Sequence, residues 1–132
     1  MLYERWQKVI EDRRNEVALR DLASGQSWTF SQLNAESEKP LPDSPAIVFP
    51  QGNSPEFIIS VLRAWRSQAV VCPLESQQQP SVLPPPAPCC HLKITPAGSG
   101  GRVVAFTGEQ LAADAENIVT TMGLRPIGQI WV

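Results

Sequence analysis

The sequence predicts an α/β fold with a parallel-sheet βαβ core and a β-hairpin beside it. Three observations lead there. Two short apolar runs, Ala46-Ile47-Val48-Phe49 and Ala69-Val70-Val71-Cys72-Pro73, flank a stretch with helical apolar spacing. Strand, helix and strand within about 28 residues make parallel neighbours joined by a right-handed crossover. Before them, Val17-Ala18-Leu19-Arg20-Asp21 and Gln26-Ser27-Trp28-Thr29 are extended runs around a turn at Ser24-Gly25, the pattern of a hairpin. Finally, 132 residues with 42% hydrophobic and 18% charged side chains suit one core that folds without disulfides or metals.

The elements follow in chain order. Leu2, Trp6, Val9 and Ile10 fall at i, i+4, i+7 and i+8, one face of an opening helix with charges on the other. After the hairpin, Thr29 and Gln32 form a capping-box pattern that opens a short helix through about Glu38. Lys39-Pro40-Leu41-Pro42-Asp43 then breaks the structure. The run at 46–49 is expected to be a strand buried on both faces. Ser54-Pro55-Glu56 supplies an N-cap, a proline at the first helical position and an acid in the first turn. Phe57, Ile58, Val61, Leu62 and Trp65 give the crossover helix its apolar stripe.

Residues 76–88 hold five prolines, three consecutive glutamines and no charge, so they build no core and read as a loop or linker. No basic residue flanks these prolines, which favours a surface insertion over a ligand for a proline-binding module. Residues 90–95 and 102–107 read as two more strands, joined by Pro96-Ala97-Gly98-Ser99-Gly100-Gly101. Thr107 and Gln110 repeat the capping box, and Leu111, Ala115, Ile118, Val119 and Met122 form an apolar stripe. Gly123 stands at the C-cap with Pro126 beyond. Ile130-Trp131-Val132 is an apolar end directly after a helix and reads as a chain cut before its next strand. The organisation is then 1–75 for helix, hairpin and βαβ unit, 76–89 for the Pro/Gln-rich linker, and 90–132 for the glycine-rich hairpin, helix and truncated end.

Eleven Lys and Arg against thirteen Asp and Glu give a net charge of −2 with no basic run, which argues against nucleic acid as a partner. The first sixteen residues carry Glu4, Arg5, Lys8, Glu11 and Asp12, unlike a signal peptide. The apolar run at 57–62 is far short of the ~20 residues that span a bilayer, so no membrane partner is expected. Cys72, Cys89 and Cys90 are an odd count with a vicinal pair, a poor disulfide framework. A cytoplasmic location follows as the expectation.

The turn at 96–101 has the chemistry of an anion site. Glycines let backbone amides converge on a phosphate, and a hydroxyl and a cation complete the cradle. Thr95, Gly98, Ser99, Gly100, Gly101 and Arg102 are the candidate binding residues. The turn is not a Walker loop, because no Gly-Lys-Ser/Thr follows, nor a dinucleotide fingerprint, because Val103 stands where the third glycine belongs. On local residues alone a flexible hairpin turn is the plainer reading. Cys89, Cys90 and His91 with Cys72 could suggest a metal, but strand neighbours point to opposite faces and no Cys-x-x-Cys exists, so small buried cysteines and no metal are expected. No catalytic residue is assigned: His91 is the only histidine, and the sequence assigns it no serine or cysteine as a nucleophile partner. Glu109, Asp114 and Glu116 read as a solvated helix face, and Trp6, Trp28 and Trp65 as core anchors.

The order of these pieces, from 17 to 125, resembles the amino-terminal portion of the adenylate-forming (AMP-binding) superfamily: acyl-CoA synthetases, aryl-CoA ligases and peptide-synthetase adenylation domains. Trp28-Thr29-Phe30-Ser31-Gln32-Leu33 is similar to that family's Thr-Tyr/Phe-x-x-Leu segment. Asn53-Ser54-Pro55-Glu56-Phe57 looks like its helix start, and Ala69-Val70-Val71-Cys72-Pro73-Leu74-Glu75 like its Val-Val-x-Pro-Leu strand. Leu92-Lys93-Ile94-Thr95, the glycine turn and Val104-Ala105-Phe106-Thr107 occupy the places around its phosphate loop. The loop departs from the pattern: it is one residue short, lacks the proline, has Arg102 for the usual lysine, and has Gly108 where a histidine is common.

The resemblance implies a parallel-sheet amino-terminal subdomain and a parent activity of ATP-dependent carboxylate adenylation, with ATP and Mg as cofactors. It covers about the first quarter of a complete member; the adenine, magnesium and ribose segments and the catalytic lysine lie beyond it. The chain is therefore expected to be a truncated, inactive amino-terminal region, whose partner is the missing ligase portion or a second copy through self-association. The alternative is a non-catalytic interaction or phosphate-binding module.

Overall fold

The computed structural model describes residues 2–75, 77–79, 89–94, 102–124 and 130–131. Along them run α1 (Leu2–Arg13), β1 (Val17–Arg20), β2 (Ser27–Thr29), α2 (Phe30–Ser37), β3 (Ile47–Val48), α3 (Pro55–Arg66), β4 (Val70–Val71), β5 (His91–Ile94), β6 (Val103–Phe106), α4 (Gly108–Met122) and β7 (Ile130–Trp131). They form two sheets. One has the order β2-β1-β7 and the other β3-β4-β5-β6. In the second sheet β3, β4 and β5 are parallel, with Ile47 opposite Val70 and Val71 opposite His91, while β6 returns antiparallel to β5. The βαβ unit and the hairpin of β1 and β2 stand as their sequences predict.

Local chemistry fixes the helix ends. Thr29 Oγ1 accepts from Gln32 N and Gln32 Oε1 accepts from Thr29 N, and Thr107 and Gln110 do the same for α4. Gly123 closes α4 in the left-handed conformation at φ 62°, where a Cβ would be strained. At the end of α2 the orphan carbonyls of Glu36 and Glu38 accept from Arg63 Nε and Arg66 Nη1 of α3, at 2.9 and 2.7 Å.

The core lies on both sides of α3. Ile59 and Leu62 pack with Ala18, Leu19 and Leu33 beneath the hairpin sheet, and Ala64 packs with Ala69 and Val71 on the parallel sheet. The opposite face of that sheet carries a third cluster of Val70, Cys72, Leu74 and Leu92.

Five particulars differ from the sequence reading. Strand β3 is half-buried rather than buried on both faces, because among the described strands it stands at the edge and β4 at the centre. Ser54 takes the N-cap conformation but its side chain makes no cap bond; Pro55 at the first helical position carries the start of α3. The best-buried residues of α3 are Ile59, Leu62 and Ala64, because the helix is wedged between two sheets and one stripe does not describe it. The stripe of α4 is largely exposed, with Ile118 and Val119 about half exposed and Met122 at 67%. Ile130 and Trp131, to which the sequence reading gave no strand, form β7, whose backbone pairs in parallel with Leu19 and Arg20 of β1. Of the linker, residues 76 and 80–88 lie outside the described residues. No described helix is long and apolar enough to cross a membrane.

Candidate functional site

The carboxyl ends of β3, β4 and β5 converge at one edge of the parallel sheet, where ligands of open α/β sheets characteristically bind. Beyond β3 the chain turns at Gly52, φ 85°, and Gln51 bridges in parallel to Leu74. Gln51 Nε2 donates to the carbonyl of Glu75 at 2.8 Å. Gln78 then ties two strand ends together: its Oε1 accepts from Glu75 N at 3.1 Å, and its Nε2 donates to the carbonyl of Ile94 at 3.4 Å. A hollow of about 350 Å³ lies alongside, lined by Glu75, Gln78, Lys93, Phe106 and Leu111 among others.

The glycine-rich segment leaves from this edge. Ile94 is opposite Val103, so the pair closes the base of residues 95–101. Thr95, Gly98, Ser99, Gly100 and Gly101 lie outside the described residues. Arg102 is described: it is exposed at the foot of the segment. Lys93 is opposite Val104, so strand alternation places Lys93 and Arg102 on one face of the hairpin. Two cations thus stand at the foot of residues 95–101, the segment whose sequence is expected to hold a phosphate. Helix α4 adds nothing to them. It starts after Phe106, which pairs with His91 at the far end of the hairpin, and its first-turn amide at Gln110 is engaged by Thr107.

His91 sits at that far end. Its Nε2 accepts the indole hydrogen of Trp65 at 2.9 Å, so the neutral ring carries its own proton on Nδ1. Burial holds the imidazole below its ordinary value of 6.5. The unfolded chain therefore takes up a proton that the folded chain refuses in the window below pH 6.5. Stability is full above that value and falls as pH drops through the window, until the folded imidazole protonates and loses its bond from Trp65. Urea midpoints between pH 7.5 and 5 should follow this course. His91→Gln, which keeps an acceptor and does not titrate, should flatten the slope; an unchanged slope would assign it to carboxylates instead.

Cys72 is fully buried, Cys89 and Cys90 are half-buried, and desolvation pushes all three thiols up, away from thiolate chemistry. Among the described residues no group of three His, Cys, Asp or Glu side chains gathers as a metal site. Glu109, Asp114 and Glu116 are exposed, as a solvated face should be, and Glu116 pairs at the surface with Arg5 of α1 at 2.8 Å. Sequence reasoning also missed Gln51 and Gln78, whose Nε2 groups donate to carbonyls far along the chain. Of the cofactors that the resemblance implies, a phosphate is suited by the charges of Lys93 and Arg102, while among the described residues no group of three His, Cys, Asp or Glu side chains gathers for Mg.

No protein-family model matches the chain, and no curated protein sequence matches it. Solved structures do. VinN in complex with L-aspartate superposes with a TM-score of 0.74 over 95% of this chain and 53% of that chain, at 13% identity. The long-chain-fatty-acid-CoA ligase FadD1 from Archaeoglobus fulgidus gives 0.75 over 96% of this chain and 40% of that chain, at 12% identity. The chain thus spans about half the length of the VinN chain. The α/β architecture expected above, a parallel-sheet βαβ core with a hairpin, is the architecture observed, and it is shared with these two longer chains.

Proposed function

We propose that this chain is the amino-terminal portion of an ATP-dependent carboxylate-adenylating ligase of the acyl-CoA synthetase kind, and that it is inactive alone. One observation carries the reading: almost the whole chain shares its fold with roughly half of much longer chains, one of them a fatty-acid-CoA ligase. In the parent reaction a carboxylate oxygen attacks the α-phosphorus of ATP and pyrophosphate leaves; a thiol then takes the acyl group from the adenylate and AMP leaves. That step needs a carboxylate pocket, ATP held in line, magnesium and a cation on the developing charge. The share assigned to this chain is the β/γ-phosphate cradle of Thr95, Gly98, Ser99, Gly100, Gly101 and Arg102, with Lys93 beside it. Its partner is the remaining ligase portion, and its setting the cytoplasm.

The purified chain should give no ATP–pyrophosphate exchange above a buffer blank with any panel of carboxylic acids. It should still bind ATP, and Arg102→Glu should abolish that binding in a chain that keeps a cooperative melt. Exchange above the blank overturns the inactivity, and binding that survives Arg102→Glu overturns the cradle. A second reading, a non-catalytic interaction module, is favoured by β6, which stands at the edge among the described strands with Val103 and Val104 exposed. It gains if the chain binds no ATP and elutes as a dimer.

A further inference from the structure

Away from the glycine-rich segment, an apolar hollow of about 410 Å³ opens between the hairpin sheet and α3. Trp6, Phe30, Phe57, Ile58 and Trp65 line it, and His91 is the titratable side chain at its wall. A second hollow, about 460 Å³, lies between α1 and α4 and includes Leu111, Ala115 and Val119. Trp6, Trp65 and His91 line both, so these three side chains stand between the two hollows. The second is spanned at the surface by the ion pair of Arg5 and Glu116, both more than half exposed.

We propose that the inner hollow is a binding site for an uncharged, apolar small molecule about two fused rings in size. Its volume falls within the range of ordinary ligand pockets and well exceeds the roughly 150 Å³ that holds benzene in an apolar cavity. A charged ligand is excluded by the wall. His91 is kept neutral by burial and its Nε2 is already engaged by Trp65, so an anion stripped of water would find no counter-charge. Aromatic walls instead favour a flat ring system, packed offset or edge-on against the two indoles.

The probe for the test is 6-propionyl-2-(dimethylamino)naphthalene, neutral and brighter and bluer in apolar surroundings. It should bind the full chain saturably, one per chain, and quench tryptophan fluorescence. Val61→Phe and Ile58→Phe each place a ring in the hollow from α3 and should weaken binding at least tenfold while keeping a cooperative melt. Ile118→Asp, on the exposed face of α4 outside both hollows, should leave binding unchanged. Naphthalene should raise the melting temperature of the unaltered chain in a concentration-dependent way, and 2-naphthoate should not. Non-saturable partitioning, loss of binding in Ile118→Asp, full binding in a folded Phe variant, an equal effect of 2-naphthoate, or no shift with naphthalene would each overturn the proposal.

Discussion

Trp65→Ala is expected to destabilise the protein by about 3–5 kcal/mol, a large part of the 5–15 kcal/mol that holds a typical domain together. Trp65 packs against the cluster of Ala18, Leu19, Leu33, Ile59 and Leu62 and also against that of Ala64, Ala69 and Val71. One side chain thus seals α3 to the hairpin sheet and to the parallel sheet. Its ring lies 6.0 Å from that of His91, and its N–H is the donor to His91 Nε2. Truncation removes the packing, leaves a void that backbone on two sides cannot close, and strands the imidazole acceptor. Trp65→Phe separates these effects: most of the apolar surface stays and the indole bond goes, at about 1 kcal/mol. Urea denaturation followed by circular dichroism measures both. A Trp65→Ala chain within about 1 kcal/mol of the parent would mean that α3 does not join the two sheets.

Much of this arrangement was legible in the sequence where the signal is local. Thr29 with Gln32, Thr107 with Gln110, and Gly123 are read correctly because each cap is a contact within one turn of chain. The βαβ unit is legible because Ile47-Val48 and Val70-Val71 are bounded by breakers and joined by an amphipathic segment with Pro55 at its first position. What periodicity does not reveal is whether a face is covered. Leu111, Ala115, Ile118, Val119 and Met122 repeat as a core stripe should, yet Met122 is among the most exposed apolar residues described. For the candidate site, the pairing of residues 91–94 with 103–106 was legible and sets Lys93 and Arg102 on one face. The glutamine ties were not, since a side chain bonding a distant carbonyl leaves no pattern along the chain.

The same distinction between periodicity and cover gives the sharpest stability contrast. Val71→Asp should abolish cooperative folding, with a cost above about 4 kcal/mol, whereas Val104→Asp should change stability by no more than about 0.5 kcal/mol. Both valines belong to apolar β-branched runs that read alike. Val71, however, is 0% exposed, in the central strand between Val48 and His91, under Ala64 and Trp65 of α3. Val104 is 41% exposed on the edge strand β6, opposite the exposed Lys93. A carboxylate at position 71 would lose its water with no donor supplied in return, a penalty of several kcal/mol whether it stays charged or takes up a proton. His91 is its register neighbour, but pairing with it would require protonating an imidazole that burial keeps neutral and would break the bond from Trp65. At position 104 the carboxylate stays in water and faces a cation across the strand pair, which offsets the lost β-propensity. Thermal melts followed by circular dichroism decide it. A Val71→Asp chain that still melts cooperatively near the parent temperature would mean that β4 is not the buried centre of the sheet.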